Sequence, residues 1–235
     1  MKDTTLPAAA VLLPGTGTDA RFITDAFGPA LTSAGVEFIA VEPDPRRVVG
    51  SYLDALDSAV AAHGPILVAG VSIGAHTALN WAFDQPGDAA AVLAVMPGWT
   101  GPPADAPAAL SAALTARLLR ADGIDAVTAV MRSSSPAWLG DILARSWQSQ
   151  WPDFPHALDE AAANIAPTVE KLAAISVPVG IVGATDDAVH PFAVAQEWAD
   201  HLAHAAITRV TLDEIGADNG VLGHRAMAAL EQLFT

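Results

Sequence analysis

The segment Gly70-Val71-Ser72-Ile73-Gly74 decides the architecture of this chain. It stands between residues 65–69, a short and mostly apolar run typical of a buried strand, and residues 75–83, which have the pattern of a helix. A strand that turns abruptly into a helix crowds its own backbone, and glycine relieves the crowding because it lacks a Cβ atom. The segment therefore predicts a sharp turn that exposes the Ser72 hydroxyl. A tight structural turn around an inert serine is the alternative.

Short apolar runs alternate with amphipathic ones along most of the chain, as in a parallel sheet covered by helices on both faces. We therefore expect an α/β protein, a three-layer α/β/α sandwich with a mostly parallel sheet of about six strands. The predicted strands lie near residues 9–13, 37–41, 66–69, 92–96, 179–182 and 208–212, and the predicted helices near 20–34, 48–63, 75–83, 192–204 and 222–234.

The alternation of strands and helices breaks between residues 97 and 176, where helical patterns are interrupted by prolines. Structureless connections longer than about 15 residues are uncommon in compact domains, so this segment predicts a helical cap inserted after the fourth strand. The core then comprises residues 1–96 and 177–235. We expect apolar aromatic side chains of the cap to line a substrate pocket, with anchoring of the cap helices as the alternative. The candidates are Trp99, Trp138 and Trp147.

The composition, 52% apolar residues and no cysteine, describes a single globular domain without disulfides. A formal net charge of −15 opposes binding to nucleic acid or to an anionic membrane, because both are polyanions. Residues 1–7 carry an acid and a proline where a signal peptide has basic and then apolar residues. We expect a cytoplasmic protein that acts on a small molecule. The sequence leaves its oligomeric state open, with a homodimer as one alternative.

A nucleophilic serine needs a histidine that takes its proton and an acid that orients the histidine, in the chain order serine, acid, histidine. His224 follows the last predicted strand at the end of the glycine-rich stretch 216–223, so it is the predicted base. His190 is interpreted as a packing or rim residue. His76 is interpreted as a helix residue whose ring points away from the Ser72 hydroxyl.

Two adjacent carboxylates, Asp186 and Asp187, follow the fifth predicted strand. With these residues the chain resembles enzymes of the α/β-hydrolase fold, which commonly carry the catalytic aspartate four residues before a proline. Asp187 is four residues before Pro191, and the resemblance therefore favours Asp187 over Asp186. It implies a catalytic triad of Ser72, Asp187 and His224 that needs no metal and no cofactor.

In the enzymes that this chain resembles, two backbone amides form an oxyanion hole, which stabilises the tetrahedral intermediate. One follows the nucleophile, here Ile73, and the other lies after the first strand, here Thr16, with Pro14 in place of the family's histidine. The resemblance implies a serine hydrolase that cleaves a carboxylester, thioester or lactone of a small, apolar substrate. A non-catalytic, ligand-binding relative is the alternative.

A dinucleotide-binding oxidoreductase is a third interpretation. Residues 15–20 match a G-x-G-x-x-A phosphate loop, and Glu42 lies about 20 residues further on, where a ribose-binding acid is expected. Against this interpretation, Tyr52 is the only tyrosine, and Leu56 stands four residues later where a Tyr-x-x-x-Lys pair has its lysine.

Overall fold

The computed structural model describes residues 6–234, so most of the N-terminal segment interpreted above, residues 1–5, lies outside the described residues. Within residues 6–234 no helix is both long and apolar enough to span a bilayer. The strands in this part of the chain are β1 (Ala9–Leu13), β2 (Glu37–Ala40), β3 (Ile66–Val71), β4 (Ala89–Val95), β5 (Val179–Ala184) and β6 (Ala205–Val210). The helices are α1 (Ala20–Ser33), α2 (Val48–His63), α3 (Ile73–Asp84), α4 (Pro107–Ser134), α5 (Ala137–Gln150), α6 (Phe154–Ala163), α7 (Val169–Ala174), α8 (Phe192–His201), α9 (Leu212–Ala217) and α10 (Val221–Glu231).

The six strands form one sheet in the order β2-β1-β3-β4-β5-β6, and every neighbouring pair is parallel. Strands β1, β3 and β5 are buried along their whole length, whereas the edge strands β2 and β6 are partly exposed. The predicted α/β/α sandwich is confirmed. Strand β6 ends at Val210 and not at residue 212, because Leu212 already begins helix α9, which is absent from the helices predicted above.

Successive side chains of each strand enter different layers, because side chains alternate between the two faces of a sheet. Val11 and Leu13 of β1 belong to a core cluster that also contains side chains of α2, α3 and α8. Ala10 and Leu12 belong to a second cluster, which contains side chains of α1 and α10. The sheet is therefore buried on both faces, and its carboxyl-terminal edge stays available for a site.

Helices α4 to α7 lie between β4 and β5, in the segment for which the sequence predicts a helical cap. Buried residues of α4, α5 and α6, among them Trp147 and Phe154, belong to the same core cluster as strand β1. The Glu160 carboxylate of α6 accepts hydrogen bonds from the Val48 and Val49 amides, at 2.7 and 2.9 Å, at the N-terminus of α2. These helices and the core therefore share one packed interior.

The turn between β3 and α3 is in direct backbone contact with the end of β1. A Cβ atom built on Gly74 would lie 2.2 Å from the Leu13 carbonyl oxygen, and one on Gly70 would lie 2.3 Å from the Gly74 carbonyl carbon. No side chain fits at either position, because the nearest atoms belong to the backbone. Gly74 thus allows the turn to approach β1, and Gly70 allows the turn to close on itself.

We expect Gly74→Ala to destabilise the protein, because the new methyl group collides with the backbone of β1. Overpacking in a protein interior costs about 1–3 kcal/mol, which corresponds to a fall in Tm of roughly 2–12 °C for a chain of this size. Thermal unfolding followed by circular dichroism measures the change. Gly87→Ala is the matched control, since a Cβ atom there would meet no atom within 4 Å. Equal melting temperatures for the two variants would contradict the packing argument.

Candidate active site

Ser72 stands at the turn between β3 and α3 in a backbone conformation that is rare for a residue with a side chain. Its φ is 52° and its ψ is −116°. Such a conformation costs on the order of 1–3 kcal/mol and persists only where the surrounding structure enforces it. Here the hydrogen bond from the Ser72 amide to the Val95 carbonyl of β4, at 3.0 Å, helps to hold the turn. The strained turn leaves the Ser72 side chain half-buried at the carboxyl edge of the sheet.

The residue that meets the Ser72 hydroxyl is His190. Its Nε2 atom lies 3.0 Å from Ser72 Oγ, and its Nδ1 atom lies 2.9 Å from Asp187 Oδ2. The side chains of Asp187 and His190 are only 13% and 18% exposed. Serine, histidine and aspartate therefore form a continuous hydrogen-bonded chain with the geometry of a catalytic triad.

The Asp187 carboxylate is held by the turn in which it lies. Its Oδ1 atom accepts hydrogen bonds from the Val189 amide at 2.7 Å and from the His190 amide at 3.2 Å. Burial raises the pKa of Asp187, but the hydrogen bond and charge of the His190 ring, together with the two amides, outweigh burial and lower that pKa below its usual value. Asp187 is therefore ionised at neutral pH.

An ionised carboxylate can only accept a hydrogen bond, so His190 Nδ1 must carry the proton that it shares with Asp187. In the neutral ring the Nε2 atom is then an acceptor, and the Ser72 hydroxyl donates to it. This is the tautomer that a general base needs, because Nε2 is free to take the serine proton.

Two backbone amides beside Ser72 are available to an oxyanion. Ile73 is the first residue of α3, and the first amides of a helix have no acceptor inside the helix. Thr16 lies in the loop after β1, and within residues 6–234 its amide has no hydrogen-bond acceptor. A Cβ atom built on Gly15 would lie 3.5 Å from Ser72 Cβ, so this loop packs directly on the turn that carries the serine.

Solved structures with the same architecture include several enzymes. MenH from S. aureus is 14% identical with a TM-score of 0.73, and the match covers 99% of this chain and 97% of that chain. A thermophilic esterase from Thermogutta terrifontis is 14% identical with a TM-score of 0.70, and the match covers 99% of this chain and 92% of the esterase. An enol-lactonase from Burkholderia xenovorans LB400 is 19% identical with a TM-score of 0.65, and the match covers 100% of this chain and 92% of the lactonase. No family model and no curated protein matches the sequence.

These likenesses span nearly the whole chain and agree with its parallel sheet flanked by helices. This chain has the α/β-hydrolase fold. The resemblance drawn from the sequence is confirmed at the level of the fold. Identities of 14% to 19% establish the fold and leave the reaction open, since one fold supports many chemistries.

The prediction that His224 is the base is wrong. In this α/β-hydrolase fold His224 is an exposed residue of α10, three residues past the first residue of that helix, and it borders a small surface cavity together with Ala30, Met227 and Glu231. Only residues 218–220 separate α9 from α10, so there is no loop long enough to carry an imidazole to Ser72.

Two signals in the sequence could have led to His190. Thr211 and Glu214 form a capping box, the S/T-x-x-E signature of a helix N-terminus, and this signature predicts a helix directly after β6. The spacing of Asp187 and His190 is the second signal, because an aspartate accepts the amides of the following turn and a side chain three residues on can fold back onto it.

Trp99 and His76 pack against each other where the helical insert meets α3. Their rings meet edge to face with centroids 4.5 Å apart. His76 Nε2 accepts the Gly98 amide at 3.1 Å, so Nδ1 carries the proton and donates to Asn164 Oδ1. Burial lowers the pKa of His76 to about 3, and the hydrogen bond to Asn164 opposes this effect only in part. His76 is thus a neutral structural residue, and Trp99 packs against its ring.

The other two predicted pocket residues also have packing partners. Trp138 lies against α9, where a Cβ atom built on Gly216 would collide with its indole ring at 2.3 Å. Trp147 packs on the ring of Phe154, with centroids 5.1 Å apart, and its Nε1 atom lies 2.8 Å from a Cβ atom built on Gly17. Trp147 therefore borders the loop that carries Thr16, while substrate contact by these tryptophans stays a prediction.

The loop after β1 does not present the anion site that the dinucleotide interpretation requires. The Asp19 side chain accepts the Phe22 amide at 2.8 Å, and the Glu42 side chain accepts the Ala20 amide at 3.0 Å. Two carboxylates therefore occupy the N-terminus of α1, where a pyrophosphate would have to bind and would be repelled. Among residues 6–234 no cluster of three or more His, Asp or Glu side chains is arranged to hold a metal ion.

We expect His190→Gln to lower kcat by at least about 10³-fold, because it removes the imidazole placed to take the serine proton. His224→Gln should leave kcat within twofold, since His224 is exposed on α10 and makes no contact with the triad. Steady-state hydrolysis of a p-nitrophenyl ester measures both values. If His224→Gln is inactive and His190→Gln is active, then His224 and not His190 is the base.

The two adjacent carboxylates should also differ in their effects. Asp187→Asn should lower kcat by about 10³–10⁴-fold, because the amide donates to Nδ1 and forces the wrong tautomer on His190. Asp186→Asn should be nearly neutral. Its Oδ1 atom accepts the Leu212 amide at 2.9 Å at the start of α9, and an asparagine oxygen can do the same. The same ester assay measures both variants, and the reverse order of activities would assign the triad acid to Asp186.

Proposed function

We propose that this protein is a serine hydrolase that cleaves an ester-like bond through an acyl-enzyme intermediate. The observation that carries the proposal is the hydrogen-bonded chain from Ser72 Oγ through His190 to Asp187, at 3.0 and 2.9 Å. The strained backbone at Ser72 supports it, since such conformations concentrate at active sites. Among the structural neighbours, the esterase and the enol-lactonase are enzymes whose names describe this kind of bond.

In the first half of the reaction Ser72 Oγ attacks the substrate carbonyl while its proton moves to His190 Nε2. The Asp187 carboxylate stabilises the imidazolium that forms and keeps its orientation. The Thr16 and Ile73 amides stabilise the negative oxygen of the tetrahedral intermediate. Collapse of the intermediate breaks the ester bond, and His190 returns the proton to the leaving oxygen or sulfur.

The second half releases the acyl group. A water molecule gives its proton to His190 Nε2 and attacks the acyl-enzyme carbonyl, and the same two amides hold the second tetrahedral intermediate. When it collapses, the proton returns from His190 to Ser72 Oγ and the carboxylic acid leaves. Every proton passes through His190 Nε2, from Ser72 to the leaving group in the first half and from water to Ser72 in the second, so the proposal requires no cofactor.

The substrate that fits this proposal is small and carries an apolar acyl group. Leu143 and Trp147 of α5 and Phe154 of α6 all lie within 3.6 Å of a Cβ atom built on Gly17, next to the proposed oxyanion donor Thr16. Carbon atoms of Leu143 and Phe154 and the indole ring of Trp147 therefore pack against this loop from the helical insert, which favours a hydrocarbon acyl group near the reacting carbonyl. Carboxylesters, thioesters and lactones all satisfy this description.

A fluorophosphonate probe tests the proposal directly, because it labels a serine only when a base activates it. We expect labelling of the folded wild type and none of Ser72→Ala. Ser58→Ala is the matched control, since Ser58 is an exposed hydroxyl of α2 that bonds only the Asp54 carbonyl. An unlabelled but folded wild type would favour a non-catalytic ligand-binding protein. p-Nitrophenyl esters of graded chain length, assayed beside acyl-thioesters, then define the acyl group and the leaving group.

A further inference from the structure

The loop that carries Thr16 is fixed to the core on both sides of that residue. The Tyr52 hydroxyl donates to the Pro14 carbonyl at 2.8 Å. The amide and the hydroxyl of Thr18 both donate to the Gly15 carbonyl, at 3.0 and 2.9 Å, and close a tight turn. Thr16 lies at the apex of this turn, so its amide direction depends on where the two ends of the turn are held.

The far end of the turn is held by an ion pair with the helical insert. Arg145 of α5 donates from Nη2 to Asp19 Oδ1 and from Nε to Asp19 Oδ2, both at 3.0 Å. Two parallel bonds of this kind fix orientation as well as distance. The same carboxylate caps α1 by accepting the Phe22 amide, and its side chain is only 10% exposed. One buried carboxylate thus joins the turn, helix α1 and helix α5.

Arginine at position 145 also balances the charge at this point. A nearly buried carboxylate without a partner is strongly unfavourable, and it would draw the turn toward water. It would also leave an uncompensated negative charge at the end of the turn that carries the proposed oxyanion donor Thr16. The ion pair removes both effects.

We propose that Arg145 is a positioning residue for the oxyanion hole, acting through Asp19 on the direction of the Thr16 amide. The proposal rests on the proposed function, since an oxyanion forms only if Ser72 is the nucleophile. It places the control of transition-state stabilisation in helix α5 of the insert, about 130 residues along the chain from the loop that it controls.

The test compares Arg145→Gln, Asp19→Asn and the double variant with the wild type. Asparagine keeps the helix cap, so Asp19→Asn removes the ion pair with little damage to α1. We expect each single variant to lower kcat about 10–100-fold with KM within threefold, because the misplaced amide is needed only in the transition state. The double variant should lose no more than either single one, as expected for residues that act through one contact.

Three further measurements separate positioning from general damage. A trifluoromethyl ketone forms a tetrahedral adduct with the serine, so its affinity should fall by the same factor as kcat/KM. Arg145→Lys should restore part of the activity, since it keeps the charge without the two parallel bonds. Arg132→Gln is the matched control, because it breaks the exposed Arg132–Asp141 pair between α4 and α5 and should leave kcat unchanged.

The outcomes distinguish the two proposals. A wild type that hydrolyses no ester and takes no fluorophosphonate overturns the proposed function. In that case amide hydrogen exchange of residues 15–18 still tests whether Arg145 holds the loop that carries Thr16. Faster exchange in Arg145→Gln is expected, and unchanged exchange would overturn the role of Arg145 in holding this loop. An active wild type with unchanged kcat in Arg145→Gln, or a rise in KM alone, overturns the role of Arg145. An equal loss in Arg132→Gln would do the same.

Discussion

The backbone contact between the β3–α3 turn and the end of β1 is the constraint on which the site depends. Gly74 lies so close to the Leu13 carbonyl that even a methyl group would collide with it. This contact places Ser72 beside the loop that carries Thr16, and it holds the serine in a backbone conformation that it would not adopt alone. The proposed nucleophile and a proposed oxyanion donor, from two neighbouring strands, are thereby brought together by backbone contacts.

The proposed acid and base share one four-residue turn after β5, which simplifies the geometry of the triad. The Asp187 carboxylate is fixed by the amides of its own turn, and the His190 ring folds back on it. The only long-range distance left to set is the one from Ser72 to His190, and it is determined by the spacing of β3, β4 and β5 in the sheet. The segment after β6 is then free to form α9, which packs against Trp138 of the insert.

The helical insert makes polar contacts that hold two helices of the core. Glu160 of α6 satisfies the amides at the start of α2, and Arg145 of α5 pairs with the carboxylate that caps α1. Glu160 accepts helix amides directly, whereas Arg145 holds the carboxylate of Asp19 that accepts the Phe22 amide at the start of α1. The insert therefore supports the framework of the site as well as its surroundings.

The sequence by itself determined the sheet-and-helix rhythm, the helical insert, the glycine-flanked Ser72 and the turn holding Asp187, because these follow from local periodicity and from backbone sterics. It did not determine which of seven histidines meets the serine, since four of them follow the acid in chain order, His190, His201, His204 and His224. Only the tertiary structure decided for His190. The capping box at Thr211 is a local signal against His224, whereas the approach of His190 to Ser72 depends on the spacing of the parallel strands β3, β4 and β5, which no local sequence pattern contains.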